Sequence, residues 1–406
     1  MSGVLIIGAG HAGGSAAAFL RQYGYDGPIT LIGAEPSLPY QRPPLSKAWL
    51  KGEAGEDDLQ LRPQAFYDSH NIDIRLSTTV EAINSETQDI ILPDGRLSYD
   101  HLIIATGSKA RPFNVPGSDR VPHYLLRTLA HAEDFKSLLH SGRHVGLIGA
   151  GYVGLEVAAS ARKLGCEVTL FEREPRILAR VASSYLSNAF TRIHRDAGIE
   201  IKTEARVAGL ASVGQKEVVV LEDGAEHLFD HLLVGIGALP ADDLAQAAGI
   251  ACDNGIVVDH EARTSVANVF AIGDVTSREI KPWYAGRYRL ESVPNALEQA
   301  KQAAAAITGH KAPTPEVPWF WSDQYDYKLQ IAGLTQTDAE QVVRGDPDSE
   351  AFSVFHLNRD RHLVCVESVN RPADFMAGKQ LIARQVPLEA DVLRDTEASL
   401  KPLLAR

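Results

Sequence analysis

The residues of this chain best suited to chemistry are two sets of glycines, the acids that follow them, and one lysine between prolines and an apolar segment. Gly8, Gly10 and Gly13 follow the apolar run 4–7, and Gly149, Gly151 and Gly154 follow the run 144–148. In each set the first glycine permits a sharp turn, the second lets the backbone approach a pyrophosphate, and the third lets a helix pack closely on its strand. The phosphates then sit on the amides at the helix N-terminus. A second strand follows each helix and ends in an acid, Glu35 in the first case and Glu172 in the second, placed to accept hydrogen bonds from an adenosine ribose. Two dinucleotide sites in one chain point to redox chemistry between two nucleotide cofactors.

Glu172 also predicts which nicotinamide nucleotide is used. A ribose 2′-phosphate would meet like charge there, so NADH is favoured over NADPH. Arg173 leaves two roles open, reaching toward such a phosphate or standing solvated at the strand end.

The elements that must position these residues read as α/β. The first nucleotide-binding domain is expected over 1–117 and 243–311, the second over 118–242, and a C-terminal domain over 312–406. Within the first, Asp94-Gly95 is a tight-turn signal, and the strand 101–105 halts at Ala105-Thr106-Gly107. The run 269–272 ends at Gly273-Asp274 and is expected to complete the first sheet from across the second domain. Ser292-Val293-Pro294 reads as the entry to an alanine-rich helix over 297–307 whose N-terminus faces the cofactor. In the second domain a helix is expected over 155–164 and a hairpin around 222–224. Beyond Pro315 the aromatic run 319–321 and the alternating segments 328–333, 351–355 and 362–366 predict a small antiparallel sheet closed by helices over 372–384 and 391–399.

Composition narrows the function classes. A formal charge of −12 disfavours a nucleic-acid partner, whose affinity rests largely on neutralised phosphates. No stretch approaches the apolar length that spans a bilayer, and the start Met1-Ser2-Gly3 runs into the first strand without a secretory pattern, so stable membrane insertion is not expected and a cytoplasmic enzyme is. The three cysteines, Cys166, Cys252 and Cys365, form neither a CxxC pair nor a metal cluster. They read as small buried hydrophobes, and they are too few to ligate an iron–sulfur cluster of the chain's own.

The two fingerprints, joined to residues 40–47 (YQRPPLSK), 105–107 (ATG), 269–274 (VFAIGD) and 318–324 (PWFWSDQ), resemble the flavin-dependent ferredoxin reductases of bacterial oxygenase systems, the family of putidaredoxin reductase and the reductase components of biphenyl-type dioxygenases. The resemblance implies a glutathione-reductase-like fold with two Rossmann-type nucleotide-binding domains and a C-terminal α+β domain. It implies FAD in the first site and NADH in the second. It also implies a [2Fe–2S] ferredoxin as electron acceptor, which in turn supplies a cytochrome P450 or ring-hydroxylating oxygenase. By its pattern Arg42, Pro44 and Lys47 match the segment beside the isoalloxazine, and Asp274 and Trp321 match other flavin contacts. Glu156 matches a residue on the nicotinamide-facing side, and Glu291 one at the active-site approach.

Lys47 has an argument apart from kinship: a cation near the flavin would stabilise charge developing on reduction, and it is expected to pair with Glu156. A solvated loop lysine remains open for it, as domain-core packing does for Trp321. The disulfide-reducing relatives of the fold carry a cysteine pair beside the flavin. Around 40–50 this chain has prolines, serine and lysine instead, so electrons must leave the flavin directly. Lys281, Arg287 and Arg289, interspersed with Trp283, Tyr284 and Tyr288, form a candidate docking strip, although a generic solvated loop fits the same letters. Two other functions stay open: an NADH:rubredoxin reductase, and a redox-responsive flavoprotein resembling the apoptosis-inducing flavoproteins.

Overall fold

The apolar run after Met1 forms the strand Gly3–Ile7, every residue of it shielded from solvent or nearly so, as a strand covered on both faces must be. It lies between Ile29–Ile32 and Gly95–Ile104, paired in parallel with both. The structure, a computed structural model, describes residues 2–405. It divides into two units, the first running to Arg42 and then over Glu56–Lys109 and Leu239–Pro318, the second comprising Pro43–Gly55, Ala110–Ala238 and Trp319–Arg406.

The first unit is built on a seven-stranded sheet. Its longest strand, Gly95–Ile104, serves two ladders. The first half pairs antiparallel with Asp89–Leu92 through the Asp94-Gly95 turn, and the second half pairs in parallel with Gly3–Ile7 and Val269–Ala271. The pairing of Val269–Ala271 with Leu102, Ile103 and Ile104 is the long-range completion expected from the sequence. Helix His11–Gln22 packs on helix Val293–Thr308 through small side chains, with Ala12, Ala16 and Ala17 in one core with Ala296, Ala300, Ala303 and Ala304. Alanine faces let two helices approach closely without voids. The second of these helices begins four residues earlier than its periodicity predicts, because the Ser292 hydroxyl accepts from the Asn295 amide and Pro294 fits the first turn.

The second unit carries a parallel sheet in the order Glu200–Lys202, Glu167–Phe171, His144–Ile148, His231–Val234. A three-stranded antiparallel sheet stands beside it in the chain, with its hairpin at the predicted turn between Lys216–Leu221 and Glu226–Phe229. The C-terminal segment forms a five-stranded antiparallel sheet, in the order Trp319–Gln324, Tyr327–Gly333, Leu363–Val369, Phe352–Leu357, Glu340–Gly345. Its Leu329, Ile331, Phe352, Val354 and Val369 share a core with Leu155, Ala158, Leu186 and Phe190 of the helices Tyr152–Lys163 and Ser184–Asp196.

Two details differ from the sequence reading. Strand Glu340–Gly345 was not anticipated, since its polar residues mask the alternation. The last predicted helix is shorter, Ala390–Arg394. Asp395 ends it by leaving the helical conformation and accepting the amides of Glu397 and Ala398 on its own side chain, the competition with backbone pairing that short polar residues offer.

Candidate functional site

In the first unit the glycine loop has the shape a pyrophosphate requires. Gly8 adopts φ +111°, and a Cβ on it would stand 2.2 Å from the Ala105 carbonyl oxygen. A Cβ at Gly13 would stand 1.9 Å from the Gly8 oxygen, whereas one at Gly10 would meet nothing within 4 Å. Two glycines are thus compelled by the protein's own packing, and the third faces open space. Helix His11–Gln22 starts at Gly10 with no side chain capping its first amides, in contrast to the helices begun by Thr128, Ser183 and Ser292, whose hydroxyls do so. Such amides suit an anion.

Glu35 accepts a hydrogen bond from the Tyr40 hydroxyl at 2.7 Å and from Arg42 Nη2 at 2.6 Å. The acid is therefore held in one orientation with Arg42 beside it, and it lies three residues beyond the strand Ile29–Ile32 that was expected to end in it. The loop Ala105-Thr106-Gly107 is anchored from two sides. The Ala105 amide donates to Ile7, and the Thr106 hydroxyl donates to the Ala241 carbonyl at 2.7 Å. Gly273, at φ +80°, donates its amide to Gln299 Oε1, which also accepts from the Thr276 hydroxyl. Gln299 thereby ties the Gly273-Asp274 turn to the helix that begins at Val293. Asp274 accepts from the Ser108 hydroxyl at 3.3 Å. His11, inside the fingerprint, is held below the usual imidazole pKa by burial, with Asp274 opposing that shift. Sequence reading set the histidines aside; the position of His11 between two of the glycines was the signal that it belonged to this site.

The second unit repeats the loop. Gly149 lies at φ +106° against Gly235, Gly154 would place a Cβ 2.1 Å from the Gly149 oxygen, and Gly151 again meets nothing within 4 Å. Helix Tyr152–Lys163 starts without a side-chain cap. Glu172 accepts from the Ala150 amide at 2.9 Å through Oε2 and from the Glu174 amide through Oε1, so the acid reaches back to the glycine loop itself. Arg173 is engaged by Glu174 at 3.1 Å.

Lys47 and Glu156 belong to this same unit and meet. The short turn Pro43–Ser46 aims the lysine, with the Pro44 carbonyl accepting the amides of Lys47 and Trp49. Lys47 Nζ lies 2.8 Å from Glu156 Oε2. Glu156 is 5% exposed and accepts from two further donors, the Ser46 hydroxyl at 2.5 Å and the Ser322 hydroxyl at 2.6 Å. The Ser160 hydroxyl donates to the Ser46 carbonyl and fixes the turn from below. Ser46 and Ser322 were not singled out from the sequence, because serine alone carries no spacing signal. Trp321 is the strand neighbour of Ser322 and so projects from the opposite face. It is half-buried against Trp319, with ring centroids 5.7 Å apart.

The candidate docking strip is less basic than its letters suggest. Lys281 pairs with Glu279 at 2.7 Å, Arg289 pairs with Glu291, and Tyr284 is buried. Cys166 and Cys365 are buried free thiols and Cys252 is partly buried. Burial raises all three thiol pKa values, Cys252 to about 11, the opposite of a reactive thiolate. Among the described residues no helix is long and apolar enough to cross a membrane, and no cluster of side chains is suited to a metal ion.

The pattern of the pyridine nucleotide-disulphide oxidoreductases matches residues 2–300, and that of the reductase C-terminal domain matches residues 319–404. A probable ferredoxin reductase of Castellaniella defragrans is 45% identical over 98% of both chains. This chain belongs to the ferredoxin reductase family. Among other members, the putidaredoxin reductase of Pseudomonas putida is 42% identical over 99% of this chain and 96% of its own. The putidaredoxin reductase in a covalent complex with putidaredoxin superposes with a TM-score of 0.96 at 40% identity, covering 100% of this chain and 98% of that one. The reductase family uses FAD and NAD(H), and both glycine loops here have the shape such nucleotides require.

Proposed function

We propose that this reductase carries electrons from NADH through FAD to a [2Fe–2S] ferredoxin that feeds a cytochrome P450 or ring-hydroxylating oxygenase. The observation that carries the reading is the repetition of one loop geometry: in each unit two glycines are forced by internal contacts and a third has open space beside it. Relatives named as reductases of oxygenase systems at 41% and 35% identity over nearly the whole chain support the acceptor class.

A bound FAD would supply the conversion between two-electron donation by NADH and one-electron delivery to an acceptor. The protein's part is alignment and electrostatics. Residues 1–117 and 243–311 hold FAD, 118–242 hold NADH, and 312–406 complete the reductase. Gly8, Gly10 and Gly13 receive the FAD pyrophosphate, and Glu35 its ribose. Asp274 would face the cofactor's ribityl or pyrophosphate region, and the N-terminus of the helix beginning at Val293 would face the flavin. Gly149, Gly151 and Gly154 receive the NADH pyrophosphate, and Glu172 its adenosine ribose. Lys47 would supply positive charge favouring the reduced flavin, and Glu156, paired with it at 2.8 Å, would hold the lysine in place. Arg42, the loop 105–107, Pro44 and Trp321 would be further flavin contacts, the first two from the first unit and the last two from the second. We assign the enzyme to the cytoplasm, where NADH and such carriers occur together; cell fractionation checks this.

The test compares kcat/KM for purified [2Fe–2S] ferredoxin and for rubredoxin with NADH as donor. Higher efficiency with ferredoxin supports the proposal, and higher efficiency with rubredoxin replaces the acceptor.

A further inference from the structure

Beyond the Lys47–Glu156 pair lies a continuous line of buried side chains. Ser322 donates to Glu156 Oε1 at 2.6 Å, Gln324 Nε2 donates to Ser322 Oγ at 3.1 Å, and His194 Nε2 stands 2.8 Å from Gln324 Oε1. Ser322, Gln324 and His194 are each at most 1% exposed. Ser322 and Gln324 occupy alternate positions of strand Trp319–Gln324 and so share a face, while His194 comes from the last turn of helix Ser184–Asp196.

The direction of the line follows from its chemistry. Burial lowers the His194 pKa to about 4, so the imidazole is neutral at physiological pH and carries one proton. Gln324 Oε1 only accepts, which places that proton on Nε2. Nδ1 has no partner among the described residues, the tolerable choice for an unprotonated nitrogen. The amide then presents its NH₂ to Ser322 Oγ, and the single hydroxyl proton of Ser322 is turned onto Glu156. Every donor points toward the acid, whose oxygens accept from Ser46, Lys47 and Ser322 together.

We propose that Ser322, Gln324 and His194 are positioning residues for the reaction centre: a one-way donor line that fixes the Glu156 carboxylate and, through it, the place at which Lys47 is held. Reversing the line at one atom would turn the Ser322 proton away from Glu156. The acid, short of a donor, would then draw Lys47 more tightly to itself and away from the flavin. The inference rests on the assignment of Lys47 and Glu156 to the reaction centre.

Gln324→Glu makes that reversal with almost no change in shape. In the FAD-loaded enzyme, anaerobic stopped flow gives the limiting rate of flavin reduction and the apparent Kd for NADH, and a redox titration gives the flavin midpoint potential. We expect a limiting rate lower by about tenfold, the loss of one charge-assisted hydrogen bond, with Kd nearly unchanged and the potential lowered. Gln324→Leu, which removes the donor without reversing it, has a smaller effect. In a Ser322→Ala background, Gln324→Glu adds nothing further, because the signal has lost its carrier. An equal loss with and without the Ser322 hydroxyl, or an unaltered rate and potential in Gln324→Glu, overturns the line. If Gln324→Glu does not fold, Ser322→Ala against Ser322→Thr decides: the threonine retains rate and potential and the alanine loses them, and wild-type values in the alanine variant overturn the proposal. Glu156→Gln separates the two levels. If it leaves the rate unchanged, the assignment of the pair falls and the line with it; if it slows reduction while Gln324→Glu does not, the line alone falls.

Discussion

Lys47 Nζ and Glu156 Oε2 stand 2.8 Å apart with the acid almost wholly buried, so removing the cation leaves a carboxylate supported by two serine hydroxyls alone. Lys47→Met is expected to cost about 3 kcal/mol of stability and to slow flavin reduction by NADH. Lys47→Met with Glu156→Gln recovers most of the stability and none of the rate. Thermal unfolding and stopped flow on the same samples check both parts; restored rate in the double variant would contradict the role given to Lys47.

The open space at Gly10 and Gly151 separates ligand binding from folding. Gly10→Ala has an ordinary extended backbone to occupy and no protein atom to meet, so the apoprotein keeps its Tm while its affinity for FAD falls by at least about tenfold. Gly151→Ala binds flavin normally and loses reduction by NADH, although dithionite still reduces it. Gly13→Ala and Gly154→Ala, which clash with backbone, destabilise the fold as well. Calorimetry and the ratio of FAD to protein distinguish the cases.

Much of this was legible in the letters, for reasons that differ by element. The glycine loops could be read because the first and third positions of each exclude a side chain on steric grounds, while the second leaves the backbone open to close approach. The return of Val269–Ala271 to the first sheet could be read because an apolar strand ending in Gly-Asp needs a partner ladder. The supports of Glu156 were not legible. Ser46, Ser322, Gln324 and His194 are brought together by three segments of the chain, and no local period marks them. The partners of Lys281 and Arg289 were overlooked for a simpler cause: Glu279 and Glu291 lie two residues away on the same ribbon and offset the charge that the basic letters suggested.

The role proposed for Glu172 in the choice of nucleotide is open to test. Its carboxylate stands at the end of strand Glu167–Phe171 and accepts the Ala150 amide. Glu172→Ala is predicted to narrow the NADH over NADPH ratio of kcat/KM by about tenfold, chiefly through a better NADPH value. A wild-type preference for NADPH would remove Glu172 from this role.

His194 links stability to pH. Its pKa is lowered to about 4 in the folded protein by burial, so between that value and the ordinary 6.5 the unfolded chain binds more protons. The stabilisation is therefore complete above about pH 6.5 and is lost as pH falls toward 4. His194→Gln keeps a donor toward Gln324 and flattens this acid limb. Urea midpoints at pH 4.5, 5.5 and 7 measure it, and an unchanged slope in the variant would assign the limb to other groups.

The proposed reaction has one chain passing electrons from NADH through a bound flavin to a one-electron iron–sulfur carrier. Its most direct measurement is an anaerobic titration of the FAD-loaded protein with NADH, followed by addition of oxidised [2Fe–2S] ferredoxin while flavin and cluster absorbance are recorded together. The flavin is expected to bleach with an equimolar amount of NADH, and its colour to return as two equivalents of ferredoxin are reduced. A flavin that stays oxidised under excess NADH, or one that bleaches and then leaves ferredoxin oxidised, would contradict it.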